Sequence, residues 1–319
     1  MKAVYVLTSD SGDFYLEQLA ISLYSLRIHN PELEVEIVTD RETADSLDQQ
    51  RRKLLSGVTR IVSIDVSKGF NKMQRSRWLK TSLRNLIIGD YVFIDTDTII
   101  CRELPVNEEF DGDIFAVKDL HINIDQHAHR YDIEARANLI GWDISNPSQP
   151  YHNSGVMIVK DTDVTHKFYQ RWNEEWQASA AKGCSSDQPS LCKINIEEGN
   201  LIRPLDDRWN CQVTENGLRF LDEAYIIHYF ASGERENRKP YLFDDVEIYR
   251  KVRKDGVSRD IEKMLKNPRT AFRERVQLIS DKDIDFFNSP LCRHLRRFYY
   301  EHNKLYNRIV NLGRKFKRI

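Results

Sequence analysis

The first 120 residues alternate between short apolar runs and helical stripes, and this alternation constrains the fold more than any other feature of the sequence. Four runs are apolar almost throughout and are predicted strands: residues 4–7, 35–38, 61–64 and 91–94. The stretches between them carry helical spacing; leucine, for example, recurs at positions 16, 19, 23 and 26. Strands that are apolar on both faces and alternate with helices indicate a mostly parallel sheet covered on both sides.

Polar side chains follow these predicted strands, where the carboxyl ends of a parallel sheet bind ligands. They are Thr8, Ser9 and Asp10, then Thr39 and Asp40, then Asp95, Thr96 and Asp97. Two carboxylates one residue apart at the end of a buried strand raise each other's pKa and are costly to bury unpaired. A hard divalent cation removes that cost, and a bound diphosphate completes its coordination. The sequence therefore predicts a metal and diphosphate site at Asp95 and Asp97.

Two enzyme classes place this Asp-x-Asp pattern after an apolar strand. In nucleotide-sugar glycosyltransferases both carboxylates hold a metal on the sugar nucleotide. Residues 92–98 also resemble the nucleophile motif of haloacid-dehalogenase-type phosphatases, in which Asp95 would attack phosphorus. That motif normally opens its domain, whereas about 90 residues of strand and helix pattern precede it here. The position favours the glycosyltransferase, and the phosphatase stays the alternative.

Three later segments complete a recognisable order of motifs. They are Tyr-His-Asn-Ser-Gly at 151–155, Asp187 with Gln188, and a stretch that runs from His228 through Gly233 to Lys239 and Pro240. With these, residues 1–241 resemble the glycosyltransferases of family 8, the glycogenin and lipopolysaccharide galactosyl- and glucosyltransferase group. The resemblance implies an α/β protein of GT-A fold, a Rossmann-like nucleotide-diphospho-sugar transferase with a mixed, mostly parallel central sheet and a helical C-terminal extension.

The resemblance also assigns roles to individual residues. The implied metal ligands are Asp95, Asp97 and His228, and the ion would be Mn²⁺ or else Mg²⁺. The implied contacts of the UDP-sugar donor are Thr8, Ser9, Asp10, Lys80, Thr96, Gly233 and Lys239. The implied pocket for the transferred sugar holds the catalytic set Asn153, Asp187 and Gln188, with Asp119 as a further sugar-binding residue. The family has an arginine two positions before the helix lysine; Arg77 would point about 100° away from that direction and is not expected to replace it.

The implied reaction moves a hexose from a UDP-sugar to a hydroxyl of a glycan acceptor, with retention of configuration. The implied setting is the synthesis of a cell-surface polysaccharide or lipopolysaccharide. No general base is evident, which suits a front-face mechanism in which the leaving phosphate takes the acceptor proton. A non-catalytic nucleotide-sugar-binding protein would carry many of the same residues, so that alternative stays open too.

The chain holds 48 basic and 49 acidic residues, and this near balance hides two segments of opposite charge. Residues 1–250 carry a net −12 and residues 251–319 a net +11. We therefore expect a catalytic domain at 1–250, with an acceptor-side insertion at about 120–150, and a basic helical extension at 251–319. A content of 40% hydrophobic residues is ordinary for a folded protein and excludes global disorder.

The last 29 residues predict an amphipathic helix. Its apolar stripe recurs every three or four residues, at Leu291, Leu295, Phe298, His302, Leu305, Ile309, Leu312 and Phe316, and nine basic residues but one glutamate accompany it. Such a helix suits an anionic membrane surface. The alternatives are packing on the catalytic domain or on a second copy, whereas nucleic acid is not expected because no reading motif is present.

Five cysteines without metal or disulfide spacing favour a reducing compartment. No apolar run reaches the roughly 18 residues of a membrane span. We therefore expect a cytoplasmic protein, peripheral on the cytoplasmic face of a membrane where the tail binds lipid.

Overall fold

The structure is a computed structural model that describes residues 1–146, 148–213, 216–230, 241–272, 285–287 and 289–316. Its strands are β1 (Lys2–Leu7), β2 (Val35–Asp40), β3 (Arg60–Ile64), β4 (Tyr91–Ile94), β5 (Thr98–Ile100), β6 (Ile114–Asn123), β7 (Pro150–Val159), β8 (Ile202–Pro204), β9 (Cys211–Gln212) and β10 (Ile226–His228). Its α-helices are α1 (Tyr15–His29), α2 (Arg41–Ser46), α3 (Gln49–Lys53), α4 (Lys72–Ser82), α5 (Arg130–Ile140), α6 (Asp163–Ala181), α7 (Asp187–Glu197), α8 (Val246–Asp255), α9 (Arg259–Lys266), α10 (Pro290–Glu301) and α11 (Asn303–Phe316).

Seven strands form the central sheet, in the order β3-β2-β1-β4-β7-β6-β8. The first four strands in this order are mutually parallel, and β6 pairs in parallel with β8. Strand β7 is antiparallel to both of its neighbours, β4 and β6. The mixed, mostly parallel sheet predicted from the sequence is therefore confirmed.

Both faces of the central strands β1, β2 and β4 are buried, as their apolar sequences predict, whereas the edge strand β3 is partly exposed. On one face Val92 and Ile94 of β4 share a core cluster with leucines of α1. On the other face Phe93 packs in a cluster with α4 and with Trp172 of α6. Burial on both sides explains why these strands need apolar residues at every position.

A second sheet, with the order β5-β10-β9, brings strand β10 back to the turn that carries Asp95 and Asp97. Strand β10 is antiparallel to β5, and His228 lies directly opposite Thr98. Because Thr98 follows Asp97 in the chain, this register holds His228 beside the two aspartates.

Helices α8 and α9 pack on α1. Val252 of α8 and Leu265 of α9 are fully buried, and they share a core cluster with Ile21 of α1. Helix α8 runs across residue 250, where the charge of the chain changes sign. The division of the chain at residue 250 stays a prediction.

The tail differs from the single amphipathic helix that its spacing predicts. It forms two helices, because the backbone of His302 leaves the helical region at φ −131° and ψ 43°. Tyr299 and Tyr306 make an edge contact across this break, with ring centroids 5.0 Å apart. The leucines and isoleucine of the predicted stripe are 49–69% exposed, although α10 contacts the body through Arg293, which donates to the carbonyl of Gln126 at 2.9 Å. Among the described helices, none combines the length and apolar character that crossing a membrane requires.

Candidate active site

A cavity of about 590 Å³ opens beyond the carboxyl ends of β1 and β4, at the edge of the sheet where the sequence predicts a ligand. Nine of the residues predicted for the site line it: Thr8, Lys80, Asp95, Thr96, Asp97, Asn153, Asp187, Gln188 and His228. Ser9 and Asp10 do not line it. Gly233 and Lys239 lie outside the described residues.

Asp95, Asp97 and His228 form a compact group of side chains that could hold a metal ion. One potential ligand atom from each residue lies within 4.8 Å of the others. The turn that carries the aspartates is fixed by the backbone, since the N–H of Asp95 donates to the carbonyl of Gly155 at 2.7 Å. Two carboxylates and one imidazole suit a cation such as Mn²⁺, which accepts both oxygen and nitrogen ligands. The residues present therefore fit the predicted divalent cation.

Hydrogen bonds behind His228 determine which ring nitrogen faces the aspartates. The backbone N–H of Gly155 donates to Asn153 Oδ1 at 2.8 Å, so the amide of Asn210 must donate to that same oxygen, at 2.9 Å. The other end of the Asn210 amide is then its oxygen, which accepts from His228 Nδ1 at 3.0 Å. In the neutral imidazole the lone pair is then on Nε2, which lies 3.3 Å from Asp97 Oδ1 and is the nitrogen that a metal at the aspartates would bind.

Gly155 leaves the space that this imidazole needs. A Cβ at position 155 would lie 2.3 Å from Cε1 and 2.8 Å from Nδ1 of His228. The imidazole of His228 cannot move away without losing its hydrogen bond to Asn210. Any side chain at position 155 would therefore displace the ring from its observed position.

We expect Gly155→Ala to weaken Mn²⁺ binding roughly ten- to a hundredfold, the range measured when groups that orient a ligand are lost. Calorimetric titration with Mn²⁺ measures this effect. Gly69→Ala is the matched control, because its Cβ would meet nothing closer than the Ser67 hydroxyl at 3.8 Å. Equal Mn²⁺ affinity in Gly155→Ala and the wild type would contradict the predicted role of His228.

Two cations and Asp187 form an ion cluster beside the triad. Lys80 Nζ lies 3.2 Å from both carboxylate oxygens of Asp95 and 3.4 Å from Asp187 Oδ2. Arg77 Nε lies 3.0 Å from Asp187 Oδ1, and the Ser154 hydroxyl donates to the other oxygen at 2.7 Å. The expectation that Arg77 points away from the site was wrong: positions 77 and 80 are one turn apart on α4, so both side chains reach the same carboxylate.

The pKa of Asp187 is lowered, whereas the pKa of Asp95 is raised. Burial alone would raise the pKa of Asp187, but Arg77 and Lys80 outweigh it and hold the pKa well below its usual range. Burial raises the pKa of Asp95, and the nearby carboxylate of Asp97 adds to the effect against the opposing charge of Lys80. Without a cation the Asp-x-Asp pair is thus electrostatically unfavourable, which is the reason the sequence predicts a metal there.

Asp119 lies behind the cavity wall and connects it to the predicted insertion. Asn153 donates to Asp119 Oδ1 at 2.6 Å, and His127 of the insertion lies 3.0 Å from Oδ2. Burial raises the pKa of Asp119, but the bonds to His127 and Asn153 reverse the shift and lower it. Gln188 donates to the carbonyl of His152 at 3.2 Å, which orients its amide at the cavity.

The loop after β1 differs in detail from the prediction. Ser9 is buried away from the cavity: its backbone N–H donates to Thr43 Oγ1 and its hydroxyl to Asp13. The Asp10 carboxylate accepts from Gly12 N at 2.7 Å and pairs with Lys72. Asp13 and Tyr15 line the cavity instead.

Three further residues belong to the site and were not predicted from the sequence: Asp13 and Tyr15 line the cavity, and Asn210 bonds His228. Asp13 and Tyr15 follow Asp10 within five residues, so the polar stretch after β1 was a usable signal. Asn210 had none, because it belongs to no motif and meets His228 only in the fold.

Comparison with known proteins agrees with this geometry. The family model for glycosyl transferase family 8 matches residues 6–240. No curated protein matches the chain closely enough to be counted as a relative. Among solved structures, the galactosyltransferase LgtC in complex with donor and acceptor sugar analogs has a TM-score of 0.52 at 16% identity, over 87% of this chain and 98% of that one.

Two other solved structures are similar. The apo form of the glycosyltransferase GlyE from Streptococcus pneumoniae has a TM-score of 0.50 at 13% identity, over 87% of this chain and 66% of that one. Mouse xyloside xylosyltransferase 1 has a TM-score of 0.49 at 15% identity, over 75% and 99%. The likeness to LgtC confirms the GT-A fold.

The matched span begins within β1 and ends just before α8, so it contains the whole cavity described above. A match of this extent supports a glycosyltransferase enzyme over both the phosphatase and the non-catalytic binding protein. The chain belongs to glycosyl transferase family 8 and is a glycosyltransferase.

Proposed function

We propose that this enzyme transfers a hexose from a UDP-sugar to a hydroxyl of a glycan acceptor, with Mn²⁺ bound by Asp95, Asp97 and His228. The observation that carries the proposal is the meeting of these three side chains with Lys80 and Asn153 in one cavity at the strand ends. Three protein ligands leave coordination positions open, as a cation that also binds a diphosphate requires. When bound, such an ion stabilises the negative charge that develops on the leaving diphosphate.

The chain's own residues would share the remaining work. Lys80, held by Asp187 and Asp95, adds fixed positive charge next to the diphosphate. Asn153 and Gln188 present amides to the sugar, and their orientations are fixed by Asp119 and by the carbonyl of His152. Tyr15, 41% exposed on the cavity wall, offers a ring face to the base.

Retention of configuration is part of this proposal. The carboxylate of Asp187 is occupied by Arg77, Lys80 and Ser154, which makes it a poor nucleophile for a covalent intermediate. That arrangement supports a front-face reaction in which a leaving phosphate oxygen accepts the acceptor proton. NMR analysis of the anomeric configuration of the product would test retention, and an inverted product would contradict it.

Calorimetric titration with UDP tests the donor and the metal together. We expect UDP to bind the wild type in the presence of Mn²⁺, to bind less tightly with Mg²⁺, and to lose most of its affinity in EDTA. Hydrolysis of a panel of UDP-hexoses would then identify the sugar. UDP binding that ignores the metal, or no binding at all, would overturn the proposed function.

We further propose that the enzyme works at the cytoplasmic face of a membrane, on a lipopolysaccharide or capsule precursor. Two features support this. The apolar residues Leu305, Ile309 and Leu312 of α11 are all about half exposed or more. Nine basic residues lie at 291–319, and each contributes about 1 kcal/mol of attraction near an anionic surface.

Replacing Leu305 and Ile309 of α11 with glutamate should abolish co-sedimentation with vesicles that contain phosphatidylglycerol, because it removes apolar contact and adds like charge. Donor hydrolysis in solution should stay within about twofold of the wild type, since both side chains are half exposed and distant in the chain from the cavity residues. Leu139→Glu, at an exposed leucine of α5, is the control and should leave vesicle binding intact. Unchanged binding of the α11 variant would exclude this helix as the lipid contact.

A further inference from the structure

The loop between β1 and α1 supplies one wall of the cavity. Thr8, Asp13 and Tyr15 face the cavity from this loop and from the first residue of α1. The Asp13 carboxylate accepts from the Ser9 hydroxyl at 2.7 Å, from Asp10 N at 3.0 Å and from Tyr15 N at 3.2 Å. Lys72 of α4 also donates to Asp13. The loop conformation therefore depends on several hydrogen bonds that converge on one carboxylate.

Arg253 of α8 contacts the same loop. Its Nη1 donates to the carbonyl of Ser11 at 2.9 Å, and its Nη2 donates to the carbonyl of Asp13. Its Nε donates to Glu17 Oε1 at 2.6 Å, and its guanidinium carbon lies 4.4 Å from the centre of the Phe14 ring. One planar guanidinium group thus joins two loop carbonyls, the first turn of α1 and an aromatic ring.

These contacts require an arginine, and the carboxylate of Glu17 with which it pairs is buried. The Glu17 carboxylate that pairs with Arg253 is only 2% exposed, whereas the Arg253 side chain is 35% exposed, so the buried carboxylate has its cation at the protein surface. The two carbonyls and the carboxylate require donors in a fixed fork, which the single ammonium group of lysine does not provide. Arg253 is not among the residues that line the cavity. We therefore expect it to act on a bound nucleotide through the loop.

Helix α8 lies beyond residue 240, where the match to the family model ends. It is held in place independently of Arg253, because Tyr249 and Val252 are buried in the core cluster with α1. We propose that Arg253 is a positioning residue that holds the loop at residues 11–14 in its donor-binding conformation, so that a helix outside the family domain sets the affinity for the donor. This inference rests on the proposed function, since it takes the donor to be a uridine nucleotide.

The test compares Arg253→Met, Arg253→Lys and the wild type, all in the full-length chain. We expect Arg253→Met to raise the Kd for UDP in the presence of Mn²⁺, and the KM for UDP-sugar hydrolysis, roughly tenfold or more, as expected for lost hydrogen bonds to a charged group. The kcat should stay within about twofold, because the reacting atoms are not touched. Arg253→Lys should fall between the two.

Arg250→Met is the matched control. Arg250 lies on the same helix, is largely exposed and pairs with Glu247 one turn away. It should bind UDP like the wild type. Hydrogen exchange provides a second readout that does not depend on activity: amides of residues 10–14 should exchange faster in Arg253→Met, while those of β1 should not.

The possible results separate the two proposals. A wild type that does not bind UDP overturns the proposed function and this inference with it. A wild type that binds UDP, together with an Arg253→Met variant of equal affinity, overturns only the role of Arg253. If Arg253→Met fails to fold, Arg253→Lys decides in its place: a folded lysine variant with wild-type Kd, KM and loop exchange also overturns it.

Discussion

Replacing Asp97 with asparagine is expected to lower kcat/KM for sugar transfer by roughly a thousandfold, because stabilisation of leaving-group charge by a bound cation is worth several kcal/mol. The change keeps the shape of the side chain and removes one of the three proposed metal ligands. It also removes the like charge that raises the pKa of Asp95. The variant should therefore lose activity and Mn²⁺ affinity while its free energy of unfolding in EDTA is no lower than that of the wild type.

Steady-state kinetics and urea unfolding in EDTA measure the two effects on the same preparations. Asp111→Asn is the control, because this aspartate is exposed and outside the cavity. Activity near that of the wild type would exclude Asp97 as a ligand. A lost activity that is accompanied by a large loss of stability would indicate that the residue supports the fold rather than the metal.

The strands at the centre of the sheet were predictable because each is buried on both faces. Residues 91–94 are apolar throughout, and they form β4 with those same bounds. The far ends of β6 and β7 were not predictable. Polar residues such as Lys118 and His152 belong to these strands only because they pair with each other across the sheet, 34 positions apart in sequence.

The same limit applies to the site. Asp95 and Asp97 could be predicted as a site because they follow a buried strand at the edge of the sheet where ligands bind, whereas His228 joined them only through the resemblance to family 8. Asn210 could not, since its two partners lie 57 and 18 residues away and nothing near it in sequence marks a bond to either. Arg77 could have been found by comparing it with Lys80 instead of with the family's spacing, because residues three apart share a helix face.

The charge pattern separated the chain into acidic and basic parts but did not say which contacts the basic residues make. Arg253 contributes to the +11 of the C-terminal segment, yet its charge is used on Glu17 inside the body. Arg296 and Arg297 of α10, by contrast, lie on a helix whose Leu291 and Leu295 are about half exposed or more. A net charge counts basic residues that pair with a buried carboxylate and other basic residues alike. What distinguishes Arg253 is its contact with Glu17, which lies more than 200 residues away in the sequence.

Asp187→Asn is expected to lower the free energy of unfolding at pH 7 by about 3–5 kcal/mol, the usual cost of removing one partner of a buried ion pair. Lys80 is 3% exposed, and the change leaves its charge with Asp95 alone, which is half-buried and is also a proposed metal ligand. Arg77 loses the carboxylate that lies 3.0 Å from its Nε. Urea unfolding in EDTA measures the loss.

The pH dependence of this loss identifies its cause. The folded-state pKa of Asp187 lies below that of an unfolded aspartate, about 3.9, so its charge contributes fully above roughly pH 4 and progressively less as the pH falls below that value. The difference between wild type and Asp187→Asn should therefore be constant from pH 7 to about 5 and shrink below about 4. Asp163→Asn is the matched control, since Asp163 also begins a helix but is exposed; it should cost at most about 1 kcal/mol through the helix dipole. An Asp187→Asn variant that is no less stable than Asp163→Asn would mean that Lys80 and Arg77 do not need this carboxylate. Asp95 and the bound donor would then have to be the groups that hold these two cations at the cavity.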